Sequence, residues 1–245
     1  MVLGVVFCTS PDLFFFFCIA VALTAGFEVA RVLEAPVVAP FGLVAITFFP
    51  LTEPTKNTPT EPYLSWLPLV LLALGVLGAA FSKHRIAMLF AGLWIGAPLL
   101  ALICLHKLSG SHSLFVTRAP ILLAMVPLWA GDTAAIFAGK AFGKHLLAPT
   151  ISPKKTVEGS VANLLACIAV SIPLAIWLNY SWATGLACGL CAGILGQAGD
   201  LFESALKRRA GVKDSGTLLP GHGGILDRID SLLFTAPAVA YILLR

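Results

Sequence analysis

Long apolar runs separated by short polar segments occupy almost the whole chain. Windows rich in Leu, Ala, Val, Ile and Phe lie at about 11–30, 36–52, 63–81, 86–105, 119–139, 161–179, 182–199 and 225–244. Each comes close to the roughly 20 mainly apolar residues that a helix needs to cross a bilayer. None shows the in–out alternation of a membrane β-strand. The pattern predicts an all-α fold: a polytopic integral membrane helix bundle of about eight transmembrane helices. The second window is the weakest, because Pro36, Pro40 and Pro50 interrupt it. No internal repeat of the kind that marks inverted-repeat transporters is visible. Residues 1–118 carry the N-terminal helices. Residues 119–245 carry most of the residues able to do chemistry, and the two parts read as one continuous membrane domain.

Composition agrees with this reading. Of 245 residues, 58% are apolar and 11% charged, and the mean hydropathy is +0.94. A soluble domain carries about 25% charged residues, so this chain has too few to cover a water-facing surface. Its six cysteines lie in or beside apolar runs. Cys188 and Cys191 form a C-x-x-C, but no second pair or nearby histidine completes a zinc site, so they read as small packing residues. The N-terminal MVLGVVFCTS lacks the basic region of a signal peptide and reads as the stub of a shortened hydrophobic segment.

The placement of charge says more than its total. If the spans alternate, Arg31, Lys83, Arg85, Lys140, Lys144, Lys154, Lys155, Lys207, Arg208, Arg209, Lys213 and Arg228 fall on one side. Lys56, Lys107, Arg118 and Arg245 fall on the other. The positive-inside rule makes the first side cytoplasmic and puts both termini outside, in the cytoplasmic membrane. The loops at about 140–160 and 200–224 are then cytoplasmic, and an active site is expected at that face.

Acidic residues are few. Of twelve, five lie between 200 and 230: Asp200, Glu203, Asp214, Asp227 and Asp230. Carboxylates at membrane depth cost roughly 2.5–3.5 kcal/mol each on insertion scales and usually mark a site. In 199-GDLFESALKRR-209, Asp200, Glu203, Ser204 and Lys207 share one face if the seventh helix runs on past the membrane. In 227-DRID-230, Asp227 and Asp230 share a face in the first turns of the last helix. Both acidic faces emerge on the same side, so three carboxylates can converge as a hard-oxygen cluster suited to Mg²⁺. Pairing with Arg228 or Arg208, or the preference of acids for helix starts, explains one such Asp. Three of them, with glycines and a basic cluster between, point to a site.

Gly221, Gly223 and Gly224 lead into the last helix, and glycine lets a backbone approach a ligand closely. A helix N-terminus favours anions. Lys207, Arg208, Arg209, Lys213 and His222 add positive charge nearby. Carboxylates for a metal, with cations and backbone donors for phosphates, describe phosphoryl or nucleotidyl transfer. In 149-PTISPKKTVEGS-160, Thr156 is a candidate N-cap with Glu158 in the first turn. Lys154 and Lys155 there suit either a phosphate ligand or anchoring to anionic lipid. Asp132 lies inside the fifth window and should face the bundle interior or a cavity. Glu28 carries less weight, since Arg31 follows one turn later as a ready partner. His106, His112 and His145 show no metal-ligand spacing and read as loop residues.

The run 204-SALKRRAGVKDSGTLLPGHGGILDRID-230 resembles the signature of the phosphatidate cytidylyltransferases, also called CDP-diacylglycerol synthases. That signature orders a serine, K-R, K-D, H-G-G and D-R-x-D. Ser204, Lys207, Arg208, Lys213, Asp214, His222, Gly223, Gly224, Asp227, Arg228 and Asp230 match it. The segments 131-GDTAAIFAGKAFGKH-145, 151-ISPKKTVEGS-160 and 199-GDLFES-204 resemble family segments too. The likeness covers about residues 130–231; the short N-terminus departs from it. The resemblance implies transfer of a cytidylyl group from CTP to phosphatidate, giving CDP-diacylglycerol and pyrophosphate. It also implies a requirement for Mg²⁺, leaving a second cation open. Asp200, Asp227 and Asp230 are the implied metal ligands, with Lys207 beside them in catalysis. Ser204, Arg208, Lys213, Asp214, His222, Gly223, Gly224, Arg228, Lys154, Lys155, Thr156 and Asp132 are the candidate substrate-binding residues. The expected partners are CTP, phosphatidate and the lipid bilayer, with no nucleic acid; a homodimer rests on the resemblance alone. A CDP-alcohol phosphotransferase would need a D-G-x-x-A-R type motif, which is absent here. An anion transporter would need polar or broken helices at the bilayer midplane.

Overall fold

The computed structural model describes residues 11–34, 85–107, 120–216 and 223–243. Six helices occur among them: α1 (Pro11–Val32), α2 (Arg85–Lys107), α3 (Leu122–Phe142), α4 (Val157–Trp177), α5 (Trp182–Arg209) and α6 (Leu226–Leu243). Each falls on an apolar window of the sequence. The windows at 36–52 and 63–81 lie outside the described residues. By length and composition, α3, α4, α5 and Leu13–Val32 of α1 can each cross a membrane.

The chain is mostly helical but not wholly so. Leu146–Ala148 (β1) and Ser152–Thr156 (β2) form an antiparallel hairpin, pairing Leu146 with Thr156 and Ala148 with Ser152. The all-α expectation is corrected at this point. Pro149 and Pro153 deny the segment a helix, and a two-stranded ribbon tolerates Pro because every strand in it is an edge. The ribbon runs directly into α4. The Val157 N–H donates to the His145 carbonyl at 2.9 Å, and Thr156 caps α4 by accepting from the Gly159 N–H at 3.2 Å.

Two compact units divide the chain. One comprises Met1–Phe14, Ala101–Lys213 and Arg228–Arg245; the other comprises Phe15–Leu100 and Asp214–Asp227. In the first, α3, α4 and α5 pack against one another. Gly185, Gly189 and Gly193 recur every fourth residue along α5 and so share one face. A Cβ at Gly185 or Gly189 would lie 2.7 Å from the Cα of Ile172 or Ile168, and one at Gly193 would lie 2.8 Å from that of Leu164. The descending partner numbers show that α4 and α5 run antiparallel with their backbones nearly touching, as small-residue faces permit in membranes. Further along α5, a Cβ at Gly199 would sit 2.6 Å from the Asp230 carbonyl oxygen. The rings of Phe202 and Phe234 meet there at 5.6 Å. His106, expected in a loop, is buried on α2 and stacks on Phe14 with ring centroids 4.2 Å apart.

Candidate active site

Helix α5 continues well past the length a bilayer requires. Its 28 residues span about 42 Å at 1.5 Å per residue. The polar end therefore stays helical and keeps Asp200, Glu203, Ser204 and Lys207 in register. The Ser204 hydroxyl lies 3.4 Å from Asp200 Oδ1. Lys207 Nζ is 2.6 Å from Glu203 Oε2, and Glu203 is buried. The close approach at Gly199 brings Asp230 beside this face. The charged groups that act on Asp230 are Asp200, Lys155 and Lys207.

The hairpin supplies the counter-charge. Lys155 forms an ion pair with Asp200, 45 residues later in the chain. Beneath this pair opens a cavity of about 650 Å³. Asp132, Lys140, Lys154, Lys155, Thr156, Asp200 and Ser231 line it, together with Ser160, Asn163 and Gln197. Asp132 accepts from Asn163 Nδ2 at 3.3 Å. Gln197 Nε2 donates to the Gly193 and Ser160 carbonyls at 2.6 and 3.1 Å, while the Ser160 hydroxyl bonds back to Gln197 Oε1. These bonds join α3, α4 and α5 through polar side chains. Sequence reasoning passed over Ser160, Asn163 and Gln197; the available signal was Asn163 and Gln197 inside apolar windows, with Ser160 at the edge of one.

Other predicted residues do different work. Arg208 Nε donates to the Ile151 carbonyl at 3.3 Å and Nη1 to that of Val212 at 3.4 Å, so it ties the hairpin turn to the end of α5. Glu158 pairs with His145 Nδ1 at 2.7 Å and braces the ribbon. Cys188 and Cys191 are free thiols, Cys188 fully buried, as packing residues should be.

The second unit holds Asp227 within a web of backbone donors. Asp227 Oδ2 accepts from the Gly224 N–H at 2.8 Å, the Ser215 N–H at 3.1 Å and the Ser215 hydroxyl at 3.0 Å. Gly223 has φ +80°, a left-handed conformation that glycine adopts readily, and this turns the chain into α6. Glu28 does not turn to the exposed Arg31 as expected. It is buried at 8% exposure and accepts from the N–H groups of Ile225 and Leu226 at 2.9 and 2.8 Å, and from the Ser215 hydroxyl at 3.0 Å. Two backbone donors in the interior outweigh one solvated guanidinium, whose ion pair is worth about 0.3–0.5 kcal/mol on a helix surface.

Of the three expected metal ligands, Asp200 and Asp230 thus belong to the first unit and Asp227 to the second. Among the described residues, no group of three or more His, Cys, Asp or Glu side chains is gathered to hold a metal ion. Lys213, Asp214 and Arg228 are exposed. His222 lies outside the described residues.

The sequence is similar to those of known proteins. A phosphatidate cytidylyltransferase of Staphylococcus saprophyticus is 43% identical over 142 residues, covering 56% of this chain and 55% of its own length. One from Synechocystis is 50% identical over 122 residues, covering 49% and 41%. One from Staphylococcus haemolyticus is 44% identical over 128 residues, covering 51% and 49%. The chain thus spans about half the length of the curated relatives it matches. The model of the cytidylyltransferase family matches residues 1–245. With that match running the full length of the sequence, the chain belongs to the cytidylyltransferase family.

Proposed function

We propose that this chain transfers the cytidylyl group of CTP to phosphatidate, forming CDP-diacylglycerol and pyrophosphate, at the cytoplasmic face of the cytoplasmic membrane. The observation that carries the reading is the cavity under the Lys155–Asp200 pair. It is lined by both lysines of the hairpin and by Asp132 and Asp200, and it opens among helices long and apolar enough to sit in a bilayer. Its volume of about 650 Å³ is in the range of small-molecule sites. The names of the relatives supply the substrates.

The chemistry follows from charge. A phosphatidate oxygen forms a bond to the α-phosphorus of CTP. The bond from that phosphorus to the bridging oxygen breaks, and pyrophosphate leaves with the electron pair. The attacking phosphate is already an anion at neutral pH, so little general-base help is needed. The barrier lies in bringing two anions together. Lys154 and Lys155 reach the cavity from the hairpin and lower that repulsion. Asp132, through its bond to Asn163, helps set the cavity wall.

Asp200, Asp227 and Asp230 carry oxygen donors of the hard kind that Mg²⁺ takes. Asp200 and Asp230 are hard oxygen donors of one unit, each within electrostatic reach of the other, and Lys155 already stands against Asp200 where positive charge is wanted. Asp200 and Asp230 would hold the ion, and Asp227 is read as a ligand from the sequence motif alone. When bound, it supplies neutralisation of the triphosphate and activation of the pyrophosphate leaving group. We further propose about eight spans with both termini outside, which leaves the hairpin and the 200–224 loop facing cytoplasmic CTP.

The test is an assay in detergent with labelled CTP, phosphatidate and Mg²⁺. Labelled lipid that depends on all three is the expected result. No labelled lipid with phosphatidate, but product with another lipid phosphate, would reassign the acceptor. None with any acceptor would overturn nucleotidyl transfer.

A further inference from the structure

Ile225 precedes the first turn of α6, and Gly223 and Gly224 precede it, so none of these three side chains carries an oxygen for the first N–H groups. Glu28, nearly 200 residues earlier, fills the place. Oε1 accepts from the Ile225 N–H at 2.9 Å and Oε2 from the Leu226 N–H at 2.8 Å. A carboxylate suits a helix start doubly, as acceptor and as negative charge against the dipole.

Two glycines make room for it. A Cβ at either Gly216 or Gly224 would lie 2.6 Å from Glu28 Oε1. The second glycine of the H-G-G motif thus leaves room for both the Ser215 hydroxyl and Glu28. Ser215 completes the frame: its hydroxyl lies 3.0 Å from both Glu28 Oε2 and Asp227 Oδ2. The hydroxyl has a single proton, so it donates to one carboxylate at a time, and both stand within its reach.

We propose that Glu28 is a positioning residue for Asp227: it anchors the start of α6 and, through Ser215, fixes the direction in which the Asp227 carboxylate is presented. The inference rests on the reading of Asp227 as a ligand for a divalent cation. Glu28 holds the ligand's frame and touches neither metal nor substrate.

The experiment uses the full chain in detergent, as wild type, Glu28→Gln and Ser215→Ala. Mn²⁺ binding is read by electron paramagnetic resonance, and hydrogen exchange reports the amides of 225 and 226. Glutamine presents an NH₂ where the Leu226 N–H needs an acceptor. Glu28→Gln should therefore weaken Mn²⁺ binding by about 10–100-fold, as loss of a ligand's supporting partner does. It should also speed exchange at 225–226 and raise the Mg²⁺ needed for turnover, with KM for CTP nearly unchanged. Ser215→Ala should shift Mn²⁺ affinity the same way by a smaller factor, and it decides the matter if Glu28→Gln does not fold. Wild-type Mn²⁺ affinity in the folded variants overturns the proposal, even if exchange rises, because Glu28 is then only a helix cap. A wild-type protein that binds no Mn²⁺ overturns it as well. If the wild type binds Mn²⁺ but transfers no cytidylyl group, the proposed reaction fails, and the Mn²⁺ measurements still decide the role of Glu28.

Discussion

The cavity of the first unit and the 215–227 segment of the second hold their carboxylates by different means. In the cavity, Asp200 is held by the side chain of Lys155, on a separate element. Asp132 is held by the amide of Asn163. In the 215–227 segment, Asp227 and Glu28 are held mainly by backbone N–H groups. A lysine can leave a carboxylate for an arriving phosphate at the cost of a few rotamers. A backbone donor cannot move unless the loop moves. One region is thus held by side chains that can change partners, while the other is held by donors that move only with the backbone.

Substitutions separate the two regimes. The largest effect should come from Asp227→Asn or Asp200→Asn. Either is expected to abolish cytidylyl transfer while the yield of monodisperse protein on size exclusion stays near wild type. An Asp227→Asn enzyme with near wild-type turnover would remove the fixed region from the chemistry. Next comes Lys155→Ala, which takes one cation from the exchangeable region. Turnover should fall about 100-fold, the scale seen when one preorganised electrostatic group is lost, and Lys155→Arg should recover part of it. Equal loss in both variants would mean that Lys155 acts through shape and not charge.

Two smaller effects concern the scaffold beneath the cavity. Gly189→Val places a branched side chain where a Cβ alone would lie 2.7 Å from the Ile168 Cα. It should cost about 1–3 kcal/mol or more, as overpacking does, seen as a lower thermal midpoint in detergent. An unchanged midpoint would mean that α4 and α5 are not pressed together. Thr156→Ala removes the cap of α4 and should cost about 1 kcal/mol. Its midpoint should drop less than that of Gly189→Val, with turnover affected only through the placement of Lys155.

Much of this was legible along the chain. The six described helices fall on apolar windows because a segment that must satisfy its own backbone in lipid has little choice but helix. Thr156 was readable as a cap because the capping oxygen and the N–H it serves are three residues apart. The D-R-x-D acids and Asp200 stood out because carboxylates are rare in so apolar a chain. The hairpin was not legible: a three-residue apolar strand and a five-residue strand of Ser, Pro, Lys and Thr carry no alternation. Nor was the partner of Glu28, since Arg31 one turn away was the better local guess. The glycine face of α5 was visible in the spacing of residues 185, 189 and 193, but the chain alone does not say which helix it meets.

Local rules thus decided the helices, their caps and the residue types available for phosphate chemistry, because each depends on neighbours within a turn or two. Tertiary structure alone decided that Lys155 meets Asp200, that Asp230 settles beside Gly199, and that Glu28 caps a helix nearly 200 residues away. Those contacts depend on which backbones can approach and which buried donors lack an acceptor, and neither quantity is a property of any short stretch of chain.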